Sequence, residues 1–580
     1  MISLLESMGD DLLPYQNNVN WDLGKMTPEA HSTKEKVQYY VIHAIQFFTK
    51  LIVLPCVAVF SAARSLVNRC IDWFNEPVAV EKPPQPVEKV DLASVLPPLV
   101  GFADSLYQSS LLGTPYSATC KPGTSEPVEG TCYWAKNLDG AHIEGNPDFT
   151  KFGIDILGDP DRFIGMYEKT KSNTYRFSLE WSIIETAPGV FNNDNIQLYH
   201  NLINKLIAAG IKPVITIHHY NHPQWFEDLN GFHNPGNIER FKNHALAMIR
   251  LFPQVTTWYT FNEVGGFGLE TFLADFPGPS SAKLNYSAAG RLVRNILMAH
   301  CTTYAAAKRE FGNRIELGIT HQFLGFKPMT GNSIEALICN HFSKLIHETV
   351  YDFFKTGVFS FQFAGLANIG FSIPEEEFKK NHKFLDVLGV QAYGNARFIF
   401  GPNGGVPYPG PKVTNICLGN MGFSAGVSCE DGKRVSSFGP EIDPTTLRKV
   451  LELASAITDN LHITEIGCDA KSQKRGGIME LDRETQRKYF EDLAPILADF
   501  KDSVKMFLVW TLYGSDGLDK PGQLEWQRGA LTKLPVMEVT QEPDRRIADY
   551  KFTPAAEYLR DSYGKMQELA KQAAPAAEAI

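Results

Sequence analysis

The chain has 580 residues, 44% of them hydrophobic and 12% aromatic, with 55 Lys and Arg against 65 Asp and Glu for a formal net charge of −10. That is enough apolar material for a core larger than one ordinary domain needs. It carries no basic footprint for nucleic acid, while its mild acidity is compatible with neutral substrates. The nine cysteines include no Cys-x-x-Cys pair and no histidines at zinc-ligand spacing, which argues against a structural zinc and for reduced, intracellular thiols. Two pairs, Cys120/Cys132 and Cys417/Cys429, lie in Gly-rich loops and could bridge in an oxidising compartment.

Residues 1–32 are polar and acidic, without the basic start of a secretory signal. A helical pattern follows to Phe74, and its centre, Tyr39 to Ala63, is strongly apolar. The uninterrupted stretch Leu51 to Ala63 is shorter than the roughly 20 residues a spanning helix needs. Extending it back to Tyr39 takes in His43, Gln46 and Lys50, each costly at the bilayer centre. Two readings stand: a helix packed on the main domain or a partner, and a membrane association through residues 39–63. The localisation expected is intracellular, cytoplasmic or membrane-associated. Residues 75–91, with Pro83-Pro84 and Pro86, read as a semi-extended linker. The domain proper is expected over 92–566, ahead of an Ala-rich tail at 567–580.

From Leu96 onward short apolar runs alternate with helix-period segments. The runs are 99–103, 174–178, 213–218, 256–262, 316–320, 384–391, 461–465 and 506–511. Helical patterns between them cover 194–209, 237–251, 288–311, 444–459 and 482–500. Eight buried strands in βα alternation predict an α/β fold, a (β/α)8 TIM barrel with a helical N-terminal extension. Chemistry in such a barrel sits at the C-terminal ends of the strands.

The polar residues gather at those ends: Arg176, Ser178 and Glu180 after the second run, His218-His219-Tyr220-Asn221 after the third, Asn262-Glu263 after the fourth, Gln391-Ala392-Tyr393, Thr464-Glu465, and Trp510-Thr511. Two glutamates that each close an apolar strand form the pair that glycoside cleavage requires. One is a protonated acid near the leaving oxygen and the other an ionised nucleophile on the opposite face of the sugar.

Seven segments in chain order carry a resemblance: Leu106-Tyr107-Gln108, Tyr175-Arg176-Phe177-Ser178-Leu179-Glu180-Trp181-Ser182, Thr216-Ile217-His218-His219-Tyr220, Trp258-Tyr259-Thr260-Phe261-Asn262-Glu263, Asp386 to Tyr393, Ile463-Thr464-Glu465-Ile466-Gly467 and Val509-Trp510-Thr511-Leu512. Through them residues 99–565 resemble family 1 of the glycoside hydrolases, the β-glucosidase and β-galactosidase group. The resemblance implies a retaining β-glycosidase that hydrolyses or transfers a terminal β-linked sugar through a covalent glycosyl-enzyme. Glu263 would be the acid/base, expected to hold its proton near neutral pH. Glu465 would be the nucleophile, kept ionised by Arg176 and Tyr393. Gln108, His219, Asn262, Tyr393 and Trp510 would bind the sugar. No metal and no organic cofactor is implied. The partner is a small glycoside: an oligosaccharide, an aryl or alkyl glycoside, or a glycolipid.

Some positions depart from the family pattern. Val264 replaces the proline after the acid/base, Ile466 the Asn after the nucleophile, and Gln391 the Asn of the sixth strand. The acidic residue and Trp that usually follow the eighth strand are missing after Trp510, with Glu525-Trp526 a displaced candidate. Ser515 and Lys520 loosely resemble the phosphate-binding residues of the 6-phospho-sugar branch, at spacing that fits poorly. The alternative reading is a catalytically weak or inactive family 1-like sugar-binding or interaction protein.

Overall fold

The structure, a computed structural model, describes residues 90–106, 154–266, 286–328, 333–363, 367–399, 417–418, 421–424, 442–468, 471–475, 478–513, 536–542 and 546–573. The apolar segment 39–63, the linker 75–89 and the end of the tail lie outside them, as do Cys120, Cys132 and Cys429. Among the described residues no helix is long and apolar enough to cross a membrane, and no group of three or more His, Cys, Asp or Glu is placed to hold a metal ion.

The eight apolar runs form β1 (Leu99–Ala103), β2 (Thr174–Ser178), β3 (Lys212–His218), β4 (Thr257–Phe261), β5 (Glu316–Pro328), β6 (Val387–Ile399), β7 (Leu461–Ile466) and β8 (Val504–Val509). Each pairs in parallel with the next, and β8 pairs with β1, so the sheet closes. Helices fill the crossovers, among them α1 (Pro160–Glu168), α2 (Asn193–Ala208), α3 (Ile238–Leu251), α4 (Tyr286–Phe311), α5 (Thr349–Thr356), α6 (Thr445–Ser455) and α7 (Arg483–Asp492). The fold is the (β/α)8 barrel.

Local chemistry explains the elements. Asn192 caps α2 by accepting from the Asn195 backbone N–H at 3.1 Å, which satisfies one of the donors a helix start leaves open. Ile196, Tyr199, Leu202, Ile203 and Leu206 then recur at helical spacing and are buried. Each fully buried residue of this size contributes roughly 1.5–3 kcal/mol. Along β2 the side chains alternate. Tyr175 packs on Phe163 of α1 with ring centroids 5.0 Å apart, while Arg176 between Tyr175 and Phe177 points into the barrel. The interior below the mouth is sealed by Val214, Tyr259, Met506 and Leu508, and Tyr259 Oη meets His462 Nδ1 at 2.6 Å.

Several boundaries differ from the sequence expectation. Strands β5 and β6 run past 320 and 391 and continue to pair with each other as far as Phe398 opposite Pro328, which carries residues such as Gln322 upward to the barrel mouth. The sixth strand starts at Val387, because His382–Phe384 is a 3-10 turn with positive φ at Lys383 and Phe384. The helix expected at 482–500 is two, broken where Pro495 cannot donate to the ladder. The eighth strand ends at Val509, so Trp510 and Thr511 lie just beyond it.

Candidate active site

Glu465 lies near the end of β7 with 3% of its surface exposed, and two side chains from other strands meet it. Arg176 Nη1 donates to Oε1 at 2.6 Å, and the Tyr393 hydroxyl from β6 donates to Oε2 at 2.5 Å. Burial pushes the Glu465 carboxyl above the usual carboxylate range, while Arg176 and the Tyr393 hydroxyl hold it down and the Asp104 charge works against them.

The guanidinium of Arg176 is fully buried and spends its other donors on the same assembly. Nε donates to the Thr216 hydroxyl at 2.9 Å and Nη2 to Asn262 Oδ1 at 2.6 Å. That oxygen also accepts from Thr320 Oγ1 at 2.9 Å and from Gln391 Nε2 at 2.8 Å. With its carbonyl held by three donors, the Asn262 amide has one orientation, and its nitrogen lies 3.2 Å from His219 Nε2. Nε2 is then the acceptor, which puts the ring proton on Nδ1, an atom that is buried and has no partner among the described residues. Burial holds His219 neutral, with the Arg176 charge adding to the effect. Trp510 stacks on His219 with ring centroids 5.7 Å apart and planes at 24°. The Gln391 carbonyl is likewise buried without a partner among the described residues.

Glu263 follows β4 in a backbone conformation that glutamate seldom adopts, φ 49°. The Tyr220 hydroxyl donates to its Oε2, and the end of the Gln322 amide from β5 lies 3.0 and 2.9 Å from its two oxygens, the side assigned to the amide nitrogen because only that end can donate to a carboxylate. Tyr220 itself sits at φ 65°. Its loop is anchored through the next residue, since Asn221 Nδ2 donates to both oxygens of Glu180 at 2.9 Å. Glu180 in turn is fixed by Ser182 and by its own backbone N–H, which donates to Tyr199 Oη of α2 at 3.0 Å. Residues held at sparsely populated φ cost on the order of 1–3 kcal/mol each and persist only where the surroundings over-determine them.

The structure therefore places Arg176, His219, Asn262, Glu263, Gln391, Tyr393, Glu465 and Trp510 together at the barrel mouth. Gln108, Glu525 and Trp526 lie outside the described residues. Four further members of the assembly have no role assigned by the sequence: Thr216, Thr320, Tyr220 and Gln322. Tyr220 stands inside the His-His-Tyr-Asn segment but an aromatic at a strand end reads as core, and Gln322 follows the point where the apolar run of β5 stops.

Replacing Arg176 with Met should destabilise the fold by about 3–5 kcal/mol, because Glu465 and the Asn262 carbonyl lose a buried charged partner. A thermal or denaturant melt of the variant checks this, and an unchanged midpoint would contradict it.

Comparison with known proteins gives the family and the fold. Residues 150–533 match the model of glycosyl hydrolase family 1. An Arabidopsis thaliana protein named "Putative beta-glucosidase 6" is 28% identical over 218 residues, 35% of this chain and 57% of that relative. The chain spans about half the length of the curated relatives it matches. A beta-glucosidase of Exiguobacterium marinum shares the fold with a TM-score of 0.62 at 19% identity, over 81% of this chain and 98% of that one. So does a rice beta-glucosidase solved in a covalent complex with Glc, at 0.63 and 18%, over 81% and 99%. The chain belongs to glycosyl hydrolase family 1.

Proposed function

We propose that the protein is a retaining β-glycosidase acting on a terminal β-linked sugar. The observation that carries this reading is the polarised carboxylate pair. Glu465 is braced by a guanidinium and a phenol, and Glu263 stands at the end of β4 close enough for its charge to bear on the same Tyr393. In the first step Glu263 gives its proton to the departing glycosidic oxygen as Glu465 attacks the anomeric carbon. The C–O bond to the aglycone breaks as the bond to the Glu465 oxygen forms. In the second step Glu263 takes a proton from water, or from an acceptor hydroxyl, which displaces Glu465. The fixed Asn262 amide, the His219 Nδ1–H and the Gln391 carbonyl supply polar groups for hydroxyls of the ring, and Trp510 supplies an apolar wall. These features suit an uncharged sugar, with the aglycone being an oligosaccharide, an aryl or alkyl group, or a lipid.

The full chain, offered a panel of aryl β-glycosides (gluco, galacto, fuco, manno and 6-phospho-gluco), should turn over at least one. Glu263→Gln should lower kcat/KM by about 10²–10⁴-fold, with added azide restoring turnover on the most activated aglycone, and Glu465→Gln should abolish it without rescue. No turnover of any member by the wild type would count against the reading.

The pH dependence has a definite sign. Glu465 attacks only when ionised, so activity is present above its titration and lost as pH falls through it. Burial raises that point above the ordinary value of 4.5. Tyr393→Phe removes a donor to the ionised form and should move the acidic limb of kcat/KM further up; a limb that stays put or moves down would contradict the assignment.

A further inference from the structure

The nucleophile's supports are matched by a second set of donors on the other carboxyl. Tyr220 Oη donates to Glu263 Oε2, and the end of the Gln322 amide lies 3.0 and 2.9 Å from the two carboxyl oxygens, where an ionised carboxylate assigns the nitrogen, the amide's donor, to that side. The two donors come from different strand ends, the loop after β3 and the upward extension of β5. Each is held in place by something other than Glu263. The loop carrying Tyr220 is tied through Asn221 to the buried Glu180, and Gln322 sits in the paired register Gln391 opposite Gln322. Gly266, three residues past Glu263, leaves the space they use: a Cβ there would sit 2.4 Å from the Gln322 amide and 2.9 Å from the Tyr220 hydroxyl.

We propose that Tyr220 and Gln322 form a two-donor clamp that orients the Glu263 carboxyl and sets the pH at which it gives up its proton, a positioning role that rests on the acid/base reading above. Both groups donate to the ionised carboxylate, so the clamp favours that form. A phenol can reverse and accept from a protonated carboxyl, whereas an amide N–H cannot. Tyr220 is therefore the member that can follow Glu263 through both protonation states, and Gln322 is the member that opposes protonation.

Further titratable groups among the described residues face Glu263. Tyr393 from β6 bears on it electrostatically but gives its hydroxyl to Glu465. His321 from β5 meets the Gly265 N–H at 3.4 Å and is kept neutral, its pKa pushed down to about 4 by burial. His219 is neutral as well. Glu465 is the neighbouring like charge, and Arg176 from β2 is committed to Glu465 and Asn262.

The test uses the full chain labelled with [δ-13C]glutamate, and the Glu263→Gln variant identifies the carboxyl signal of Glu263. Tyr220→Phe keeps the ring and removes the hydroxyl, and Gln322→Met keeps length and removes the amide. Either substitution should move the Glu263 titration up by about one pH unit, the size of losing one charge-assisted hydrogen bond. The alkaline limb of kcat/KM on an aryl glycoside should move with it, while KM changes little. Gly266→Ala, which drives a methyl into the Gln322 amide and the Tyr220 hydroxyl, should reproduce the shift. A Glu263 titration unchanged in both Tyr220→Phe and Gln322→Met would overturn the clamp. Absence of turnover in the wild type would overturn the glycosidase reading alone, because the carboxyl titration still decides the clamp.

Discussion

A guanidinium with no access to solvent has to spend every donor on the protein, and Arg176 spends its donors on the strand ends around it. One arm goes to Glu465 on β7, one to Asn262 on β4, and Nε to Thr216 on β3. Four strand ends are thereby held in one register by a single side chain, with the Tyr259 ring beneath it at 5.6 Å. A buried ion pair is weak as a source of stability, since desolvation offsets most of the Coulombic gain. Its value here is positional. The charge fixes where the Glu465 carboxylate stands, and the Asn262 amide passes the constraint on, through its carbonyl to Thr320 and Gln391 and through its nitrogen to His219.

The two carboxyls are treated differently by the same mouth. Glu465 faces a full positive charge and a phenol, while Glu263 faces a phenol and an amide, both neutral. Two chemically identical side chains are thus pushed towards different roles by their surroundings. The backbone shares in the arrangement: Glu263 and Tyr220 both sit at positive φ, and their side chains meet. Strain at two partners of one contact fits a fold that gives up some stability to fix a carboxyl's direction.

The barrel was legible in the sequence because parallel strands buried on both faces read as continuous apolar runs, and each such run ended in polar residues that had no reason to be there for packing. Arg176, Asn262-Glu263, Tyr393 and Glu465 stood out on that ground. The same signal hid Gln322. Strand β5 turns polar at His321-Gln322 while continuing for several residues, and polarity on a strand that lines a barrel mouth looks like the strand's end. Tyr220 was in plain view inside a motif, yet nothing in its neighbours says whether a phenol points into a core or at a carboxyl. The break at Pro495 and the 3-10 turn before β6 are local backbone effects that a periodicity reading averages away. Gln108, Glu525 and Trp526 lie outside the described residues.

The central claim is that Glu465 becomes covalently attached to the sugar. The most direct measurement is incubation of the full chain with a 2-deoxy-2-fluoro β-glycoside bearing an activated aglycone, followed by proteolysis and peptide mass spectrometry. The account predicts one added fluoro-sugar per chain, on the peptide containing Glu465, and none on the Glu465→Gln variant. A label on Glu263, or turnover of an aryl glycoside with no label trapped on any peptide, would contradict it.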